Sequence, residues 1–158
     1  RSAKLPHDWQ LAIAGGGTDS DVSRFHSLVE QNHVADKLIY RGALKDEALK
    51  KHYRAASIFL QTSRWEGLPL VLAEAMSFGL PVVAMYNTGS AEVLESGKYG
   101  LITPATDVNA LYDAIRPLLN NIQLREEYAQ RSLQRVEDFK IAPILAQWEA
   151  ILSPTFDN

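Results

Sequence analysis

Short, continuously apolar segments that alternate with helical patterns constrain the fold of this chain more than any other feature. Five of them are predicted as strands: residues 9–14, 37–41, 57–61, 81–85 and 99–102. They lack the apolar–polar alternation of half-exposed strands, which indicates strands covered on both faces of a parallel sheet. The sequence therefore predicts an α/β fold, with a Rossmann-like parallel sheet flanked by helices.

Start and stop signals for helices separate these strands. The Thr-Asp-Ser of residues 18–20 and Asp107 are short polar residues that cap helix N-termini. Pro69 and Gly79 bracket a further helix, since proline is tolerated at a helix start and glycine favours its end. The predicted helices cover residues 19–32, 45–55, 69–79, 91–95, 108–119, 123–139 and 141–152, with a turn at 87–90 and a helix tail at 1–4.

The composition is that of an ordinary globular protein. Of the 158 residues, 46% are apolar and 22% are charged, so we expect one domain over residues 1–158. The formal net charge of −3 gives no general attraction to nucleic acid. The sequence has no cysteine, which excludes disulfides and thiolate metal sites, and the four histidines lack metal-binding spacing, so no metal is expected.

Four loops rich in glycine or serine directly follow four of the predicted strands. They are residues 15–17, Gly42, residues 63–67 and residues 88–90. Ligands of parallel α/β sheets bind outside the carboxyl ends of the strands. We therefore expect these four loops to border one crevice.

The glycine triplet of residues 15–17 does not complete a dinucleotide fingerprint, because Ser20 stands where the third glycine would be. A phosphate-binding lysine motif is also absent, since Lys98 is followed by Tyr99. Three glycines before a helix still allow backbone N–H groups to approach an anion closely. The alternative is a tight turn that binds no ligand.

Two carboxylates flank the start of the helix predicted at residues 69–79. Glu74 lies inside an apolar segment, and an unpaired carboxylate is rarely buried there. Glu66 precedes the helix and could face the same space, where both could accept hydrogen bonds from vicinal sugar hydroxyls. The N–H groups of Gly67 and Leu68 suit phosphate or sugar hydroxyls. The alternative is that Glu74 pairs with a core cation and Glu66 is a solvated cap.

Arg64 lies in the same loop as Glu66. Its guanidinium could neutralise a diphosphate. The alternative is an ordinary solvated surface charge, and the sequence leaves both interpretations open.

Residues 63–84, with Glu66 and Glu74 eight positions apart, closely resemble the Glu-x7-Glu motif of retaining nucleotide-sugar glycosyltransferases with the GT-B fold, family 4 in particular. Further segments resemble the family in the same order: residues 11–17, 40–42, 53–57, 89–92 and 100–102. The resemblance implies the C-terminal, donor-binding half of a GT-B fold. It also implies a hexosyltransferase that uses a nucleotide-diphosphate sugar, with a UDP-sugar favoured, and that retains the anomeric configuration.

Position by position, the resemblance gives the site residues different parts of the donor. Glu66 is implied to contact the donor sugar as the catalytic residue, and Glu74 to bind the ribose hydroxyls. The backbone of Gly67, Leu68 and Leu70 is implied to meet the diphosphate and sugar. Gly16 and Gly17 are implied to approach the phosphates. The backbone after Gly42 is implied to lie beside the base. The family needs neither a metal nor another cofactor.

The main departures from the family concern segments that would precede the matching residues. The strand, glycine-arginine turn and lysine that open the family's C-terminal domain have no match, nor has its N-terminal acceptor domain. We therefore expect residues 1–158 to be a fragment that lacks its first strand, is inactive alone and has the missing acceptor domain as its partner. Ser90 replaces the second of two glycines usual in the family.

The expected biological setting is bacterial surface polysaccharide synthesis. The full-length protein should be cytoplasmic or peripheral to the inner face of the membrane. Two alternatives remain open at this point. One is a GT-B-fold sugar-nucleotide epimerase, and the other is a non-catalytic domain that binds a nucleotide or a partner protein.

Overall fold

The computed structural model describes residues 8–153, so the helix tail predicted at residues 1–4 lies outside the described residues. The chain divides into two compact units, Arg1–Ala55 and Ala56–Asn158. Each unit has its own parallel sheet, of two strands in the first unit and three in the second. Contiguous compact units also occur inside single domains, so one domain over residues 1–158 stays a prediction.

The first unit pairs two strands and adds two helices. Its elements are β1 (Leu11–Ile13), α1 (Asp19–Gln31), a 3₁₀ turn (Ala35–Lys37), β2 (Leu38–Tyr40) and α2 (Asp46–Ala55). Leu11 pairs with Leu38 and Ile13 with Tyr40 in parallel register. A reciprocal cap starts α1: the Thr18 hydroxyl accepts from the Asp21 N–H, and the Asp21 carboxylate accepts from the Thr18 N–H at 3.0 Å. These short-range bonds fix where the helix leaves the glycine loop.

The second unit places a three-stranded sheet among five helices. Its elements are β3 (Phe59–Gln61), α3 (Leu70–Ser77), β4 (Val82–Met85), α4 (Thr88–Val93), β5 (Leu101–Thr103), α5 (Val108–Asn120), α6 (Ile122–Val136) and α7 (Ile141–Leu152), with 3₁₀ turns at Glu95–Gly97 and Glu137–Phe139. The strand order is β3-β4-β5, all parallel. Every residue of the central strand β4 is buried, as its continuous apolar sequence predicts.

Helix α3 packs between this sheet and α6. Its Leu72 and Met76 are completely buried, and α3 contacts both β4 and α6. A buried hydroxyl completes the packing, since the Oγ atom of Ser132 donates to the Leu80 carbonyl at 2.7 Å. This bond satisfies a carbonyl in the segment that joins α3 to β4.

The predicted parallel α/β architecture is confirmed, with three corrections. The parallel strands form two sheets instead of one. The turn predicted at residues 87–90 is wrong, because the Asn87 side chain caps a helix that already begins at Thr88. The fifth strand begins at Leu101 instead of Tyr99, because the Tyr99 N–H still donates to the Leu94 carbonyl at the end of the preceding helical segment.

Helix α7 has the predicted bounds but leaves its apolar side chains accessible. None of its residues is buried, and Ile141, Trp148 and Ile151 are 83%, 57% and 75% exposed. A helix this apolar is normally covered by a partner. Within residues 8–153, no helix is both long enough and apolar enough to traverse a bilayer.

Candidate functional site

The loop between β3 and α3 leads into a helix with well-defined ends. Pro69 is the N-cap residue, and its carbonyl accepts from the Leu72 N–H at 2.9 Å. Gly79, with φ of +68°, ends the helix: its N–H donates to Met76, and the next N–H, of Leu80, reaches back to Ala75. These paired bonds form a Schellman motif, which requires a left-handed residue that glycine supplies without strain. The predicted proline start and glycine stop are confirmed.

Glu74 lies on the exposed side of α3. The buried side carries Leu72, Ala75 and Met76, whereas Leu70 is 64% exposed and shares the outer side with Glu74, one turn away. The Glu74 carboxylate therefore lies at the surface of the helix and not in the protein core. The carboxylate stands among accessible apolar side chains, which is unusual for a helix surface and typical of a ligand-binding face.

Glu66 and the two N–H groups after it occupy the last part of the loop. The Glu66 side chain is half-buried, whereas Gly67 and Leu68 are exposed. Within residues 8–153, neither the Gly67 nor the Leu68 N–H donates a hydrogen bond to another protein group. Both donors are therefore available to a ligand at the start of an eight-residue helix, whose dipole favours negative charge there.

The first turn of α4, with the Asn87 residue that caps it, packs directly against this loop. Gly89 is buried so closely against it that an added methyl group would lie 2.9 Å from the Glu66 carbonyl oxygen and 2.7 Å from the Pro69 ring. The Asn87 amide donates to the Ser63 carbonyl at 3.1 Å. The loop therefore rests directly on backbone that only glycine can provide.

Three buried polar side chains lie under the loop: Gln61, Asn87 and Ser90. Asn87 Oδ1 accepts from the Ser90 N–H at 2.8 Å, and the Ser90 hydroxyl donates to Gln61 Oε1 at 3.5 Å. The sequence prediction missed this group. An asparagine just after a buried strand is a helix-cap signal, and that signal could have identified Asn87.

Arg64 is exposed and lines a cleft of about 280 Å³ in the second unit. The other lining residues are Thr62, Met85, Thr106, Val108 and Leu111. The cleft has an apolar floor of Met85 and Leu111, with hydroxyl groups and one guanidinium around it. An anion could bind here against the guanidinium.

In the first unit, the structure brings the loop of residues 15–17 and Gly42 together. The Gly15 N–H donates to the Gly42 carbonyl at 2.8 Å, and the Tyr40 hydroxyl donates to the Gly15 carbonyl at 3.0 Å. Gly42 has φ of +65°, a conformation that glycine adopts without strain. The loop and α1 border a cleft of about 210 Å³, lined in part by Gly16, Gly17 and Tyr40.

Comparison with known proteins gives a consistent family. The family model described as "Glycosyl transferases group 1" matches residues 2–135. An uncharacterized glycosyltransferase of Haemophilus influenzae is 30% identical over 151 residues, which are 95% of this chain and 42% of the relative. The amylovoran biosynthesis glycosyltransferase AmsD of Erwinia amylovora is 30% identical over 147 residues, 92% of this chain and 40% of the relative.

Solved structures share the fold. HepE from Anabaena, crystallised in complex with UDP-glucose, superposes with a TM-score of 0.82 at 22% identity, over 94% of this chain and 42% of HepE. The chain thus spans less than half the length of each of these proteins. This likeness shows that the chain shares the fold of HepE over the superposed part.

Proposed function

The chain belongs to the glycosyl transferases group 1 family, and we propose that its full-length protein transfers a hexosyl group from a nucleotide-diphosphate sugar with retention of configuration. The chain described here would supply the donor-binding half. One observation carries the proposal. The N–H groups of Gly67 and Leu68, which have no acceptor among residues 8–153, stand at the start of α3, with Glu66 before them and Glu74 on the exposed side of that helix.

The chemistry of transfer explains this combination. Breaking the bond between the anomeric carbon and the diphosphate leaves negative charge on phosphate oxygens. The Gly67 and Leu68 N–H groups and the α3 dipole would stabilise that charge without further reorganisation. The adjoining backbone of Leu70 would complete the contact with the diphosphate and sugar.

The two carboxylates suit the hydroxyl-bearing parts of the donor. Ionised carboxylates only accept hydrogen bonds, and vicinal hydroxyls can donate two. We assign the donor sugar to Glu66, at the end of the loop. The ribose is assigned to Glu74, which lies about 6 Å along the helix axis from Leu70, the first residue of α3. No metal is required in this scheme, and no cluster of three potential metal ligands occurs within residues 8–153.

Four further residues are assigned, three glycines by the family resemblance and Arg64 by its charge and its place in the loop. Gly16 and Gly17 border the first unit's cleft and would meet phosphate, and the backbone after Gly42 would meet the base. Arg64 would neutralise charge on the diphosphate. Its exposed guanidinium has no protein partner within residues 8–153, which leaves it available for an anion.

The relatives suggest the donor and the pathway. HepE was solved with UDP-glucose and AmsD is named for amylovoran synthesis, so we propose a UDP-sugar donor and a bacterial surface polysaccharide as product. An acceptor-binding domain elsewhere in the same polypeptide would be the partner, and the exposed apolar side chains of α7 leave a surface for such a domain. The chain alone would bind donor without turnover, and the full-length protein would be cytoplasmic or peripheral to the inner membrane face.

The test is ligand-observed NMR of the chain with UDP-, GDP- and ADP-sugars. We expect a UDP-sugar to bind and Glu74→Gln to weaken it on the order of tenfold, because a hydrogen bond to a charged group is lost. The matched control is Glu126→Gln, an exposed carboxylate on α6. Circular dichroism must show both variants folded.

Two results would contradict the proposal. One is a folded wild-type chain that binds none of the nucleotide sugars. The other is a Glu74→Gln variant that unfolds while Glu126→Gln does not, which would make Glu74 a structural residue and favour a non-catalytic domain.

A further inference from the structure

We infer that Asn87 is a positioning residue, whose side chain fixes the loop of residues 63–67, and with it Glu66, on the first turn of α4. Asn87 itself is not assigned any contact with substrate. The inference rests on the proposed function for the role of Glu66, but the geometry that carries it does not depend on the ligand.

The Asn87 amide joins two segments that are far apart in sequence. It is 4% exposed. Its Nδ2 atom donates to the Ser63 carbonyl at 3.1 Å, 24 positions earlier, and its Oδ1 atom accepts from the Ser90 N–H at 2.8 Å. One buried side chain therefore caps α4 and also bonds to the loop that follows β3.

A second contact fixes the other end of the loop. Gly89 meets the carbonyl oxygens of Glu66 and Gly67 and the ring of Pro69 with no space for a side chain. The loop is thereby attached to α4 at Ser63 by a hydrogen bond and at Glu66 by close packing.

Such attachment matters because the loop has little structure of its own. Gly67 adds backbone freedom directly after Glu66. A binding group on an unsupported loop would lose affinity to the entropy of ordering it, whereas a fixed group is already in place when the ligand arrives. Asn87 thus acts on the ligand through Glu66.

A purely structural role as a helix cap is the competing explanation, and a matched residue separates the two. Asn121 caps α6 in the same way, with its Oδ1 atom accepting from the Leu124 N–H at 3.0 Å, but it is exposed. Serine caps helices about as well as asparagine, yet its single hydroxyl cannot also reach the Ser63 carbonyl. Asn87→Ser should therefore remove the loop contact and keep the cap, and Asn121→Ser is the control.

The first measurement needs no ligand. We expect the backbone ¹⁵N order parameter of Arg64, whose N–H shares a peptide group with the Ser63 carbonyl, to fall from about 0.85 in the wild type to below about 0.6 in Asn87→Ser, and to stay unchanged in Asn121→Ser. Asn87→Asp serves as a second variant, because its carboxylate keeps the cap acceptor but cannot donate to Ser63. Unchanged order parameters in folded Asn87 variants would overturn the inference.

The second measurement separates the sugar from the nucleotide. The dissociation constants for UDP and UDP-glucose are compared in the wild type, Asn87→Ser and Asn121→Ser. We expect Asn87→Ser to weaken UDP-glucose binding about tenfold, and UDP binding by a smaller factor, since the loop carries Arg64 and the N–H groups assigned to the diphosphate as well as Glu66, which is assigned to the sugar. A UDP-glucose affinity that falls no more in Asn87→Ser than in Asn121→Ser would overturn the inference. Failure of the wild type to bind any nucleotide would instead contradict the proposed function, and the order parameters would still decide the role of Asn87.

Discussion

Replacing Gly89 with alanine tests the close contact between α4 and the loop that carries Glu66. Two effects oppose each other. Gly89 is the second residue of α4, so helix propensity alone would make alanine stabilising by up to about 1 kcal/mol. The new methyl group, however, would lie 2.9 Å from the Glu66 carbonyl oxygen and 2.7 Å from the Pro69 ring, with the Gly67 carbonyl oxygen closer still.

The steric effect should exceed the propensity effect. Overpacking costs about 1–3 kcal/mol, and the upper end applies because the obstructing atoms are backbone and a proline ring, which cannot rotate away. Subtracting the propensity gain leaves a net loss of about 2 kcal/mol in the free energy of unfolding. For a chain of this size, that corresponds to a fall in Tm of about 4–8 °C.

Thermal and urea unfolding followed by circular dichroism measure this change. The control is Gly67→Ala, where an added methyl group meets no atom within 4 Å and the backbone is not in the left-handed region. Its Tm should stay level or rise slightly, since alanine reduces the freedom of the unfolded chain. A Gly89→Ala variant as stable as the wild type would refute the packing argument.

Three further substitutions test other parts of the structure. Ser132→Ala should cost about 1–3 kcal/mol in urea unfolding, because the buried Leu80 carbonyl loses its donor, and a smaller cost would mean that water replaces it. Gly79→Ala should cost about 1–2 kcal/mol, because φ of +68° strains alanine, and a neutral result would contradict the left-handed helix end. Thr18→Ala should raise the pKa of Asp21 in an NMR titration, since hydrogen bonds from the Thr18 side chain and backbone lower that pKa. Because the pKa of Asp21 is lower in the folded than in the unfolded state, its ionised carboxylate stabilises the folded state at pH values above the unfolded-state pKa. This stabilisation is lost as the pH falls through the folded-state pKa, so the difference in free energy of unfolding between Thr18→Ala and wild type should shrink in acid.

The sequence predicts the regular elements well where local signals and tertiary packing agree. Strand β4 is continuously apolar and is buried along its whole length. Helix α3 begins after Pro69 and ends before Gly79, as the two residues indicate. In both cases the residue types that favour the local conformation also suit the surrounding core.

The prediction is wrong where a single side chain decides between two local structures. Residues 87–90 have turn composition, Asn-Thr-Gly-Ser, and the same residues begin a helix once the Asn87 side chain accepts from Ser90. The burial of Asn87 cannot be inferred from composition either. It follows from a long-range bond to Ser63, which no local pattern encodes.

The sequence does not decide whether Glu74 is exposed, for a different reason. Helix α3 is apolar on both sides, so its sequence has no amphipathic pattern to show which side meets the core. The structure buries Leu72 and Met76 and exposes Leu70 and Val71 around Glu74. Apolar residues on the outer side are unfavourable for a free helix surface, which makes sense if a ligand or another domain covers them.

The same reasoning explains how the loop after β3 can be both firmly attached and open to a ligand. Its attachment uses the Ser63 carbonyl and the packing of Gly89, so the Gly67 and Leu68 N–H groups take no part in it. An N–H group at the surface bonds to water at little cost, whereas a buried one would need a protein acceptor. Supporting the loop from its buried side therefore leaves its donors available without leaving a buried polar group unsatisfied. This division of roles also separates the expected effects of mutation: changes at Asn87 or Gly89 should alter the loop's order before any ligand is added, and Glu74→Gln should leave that order unchanged and affect binding alone.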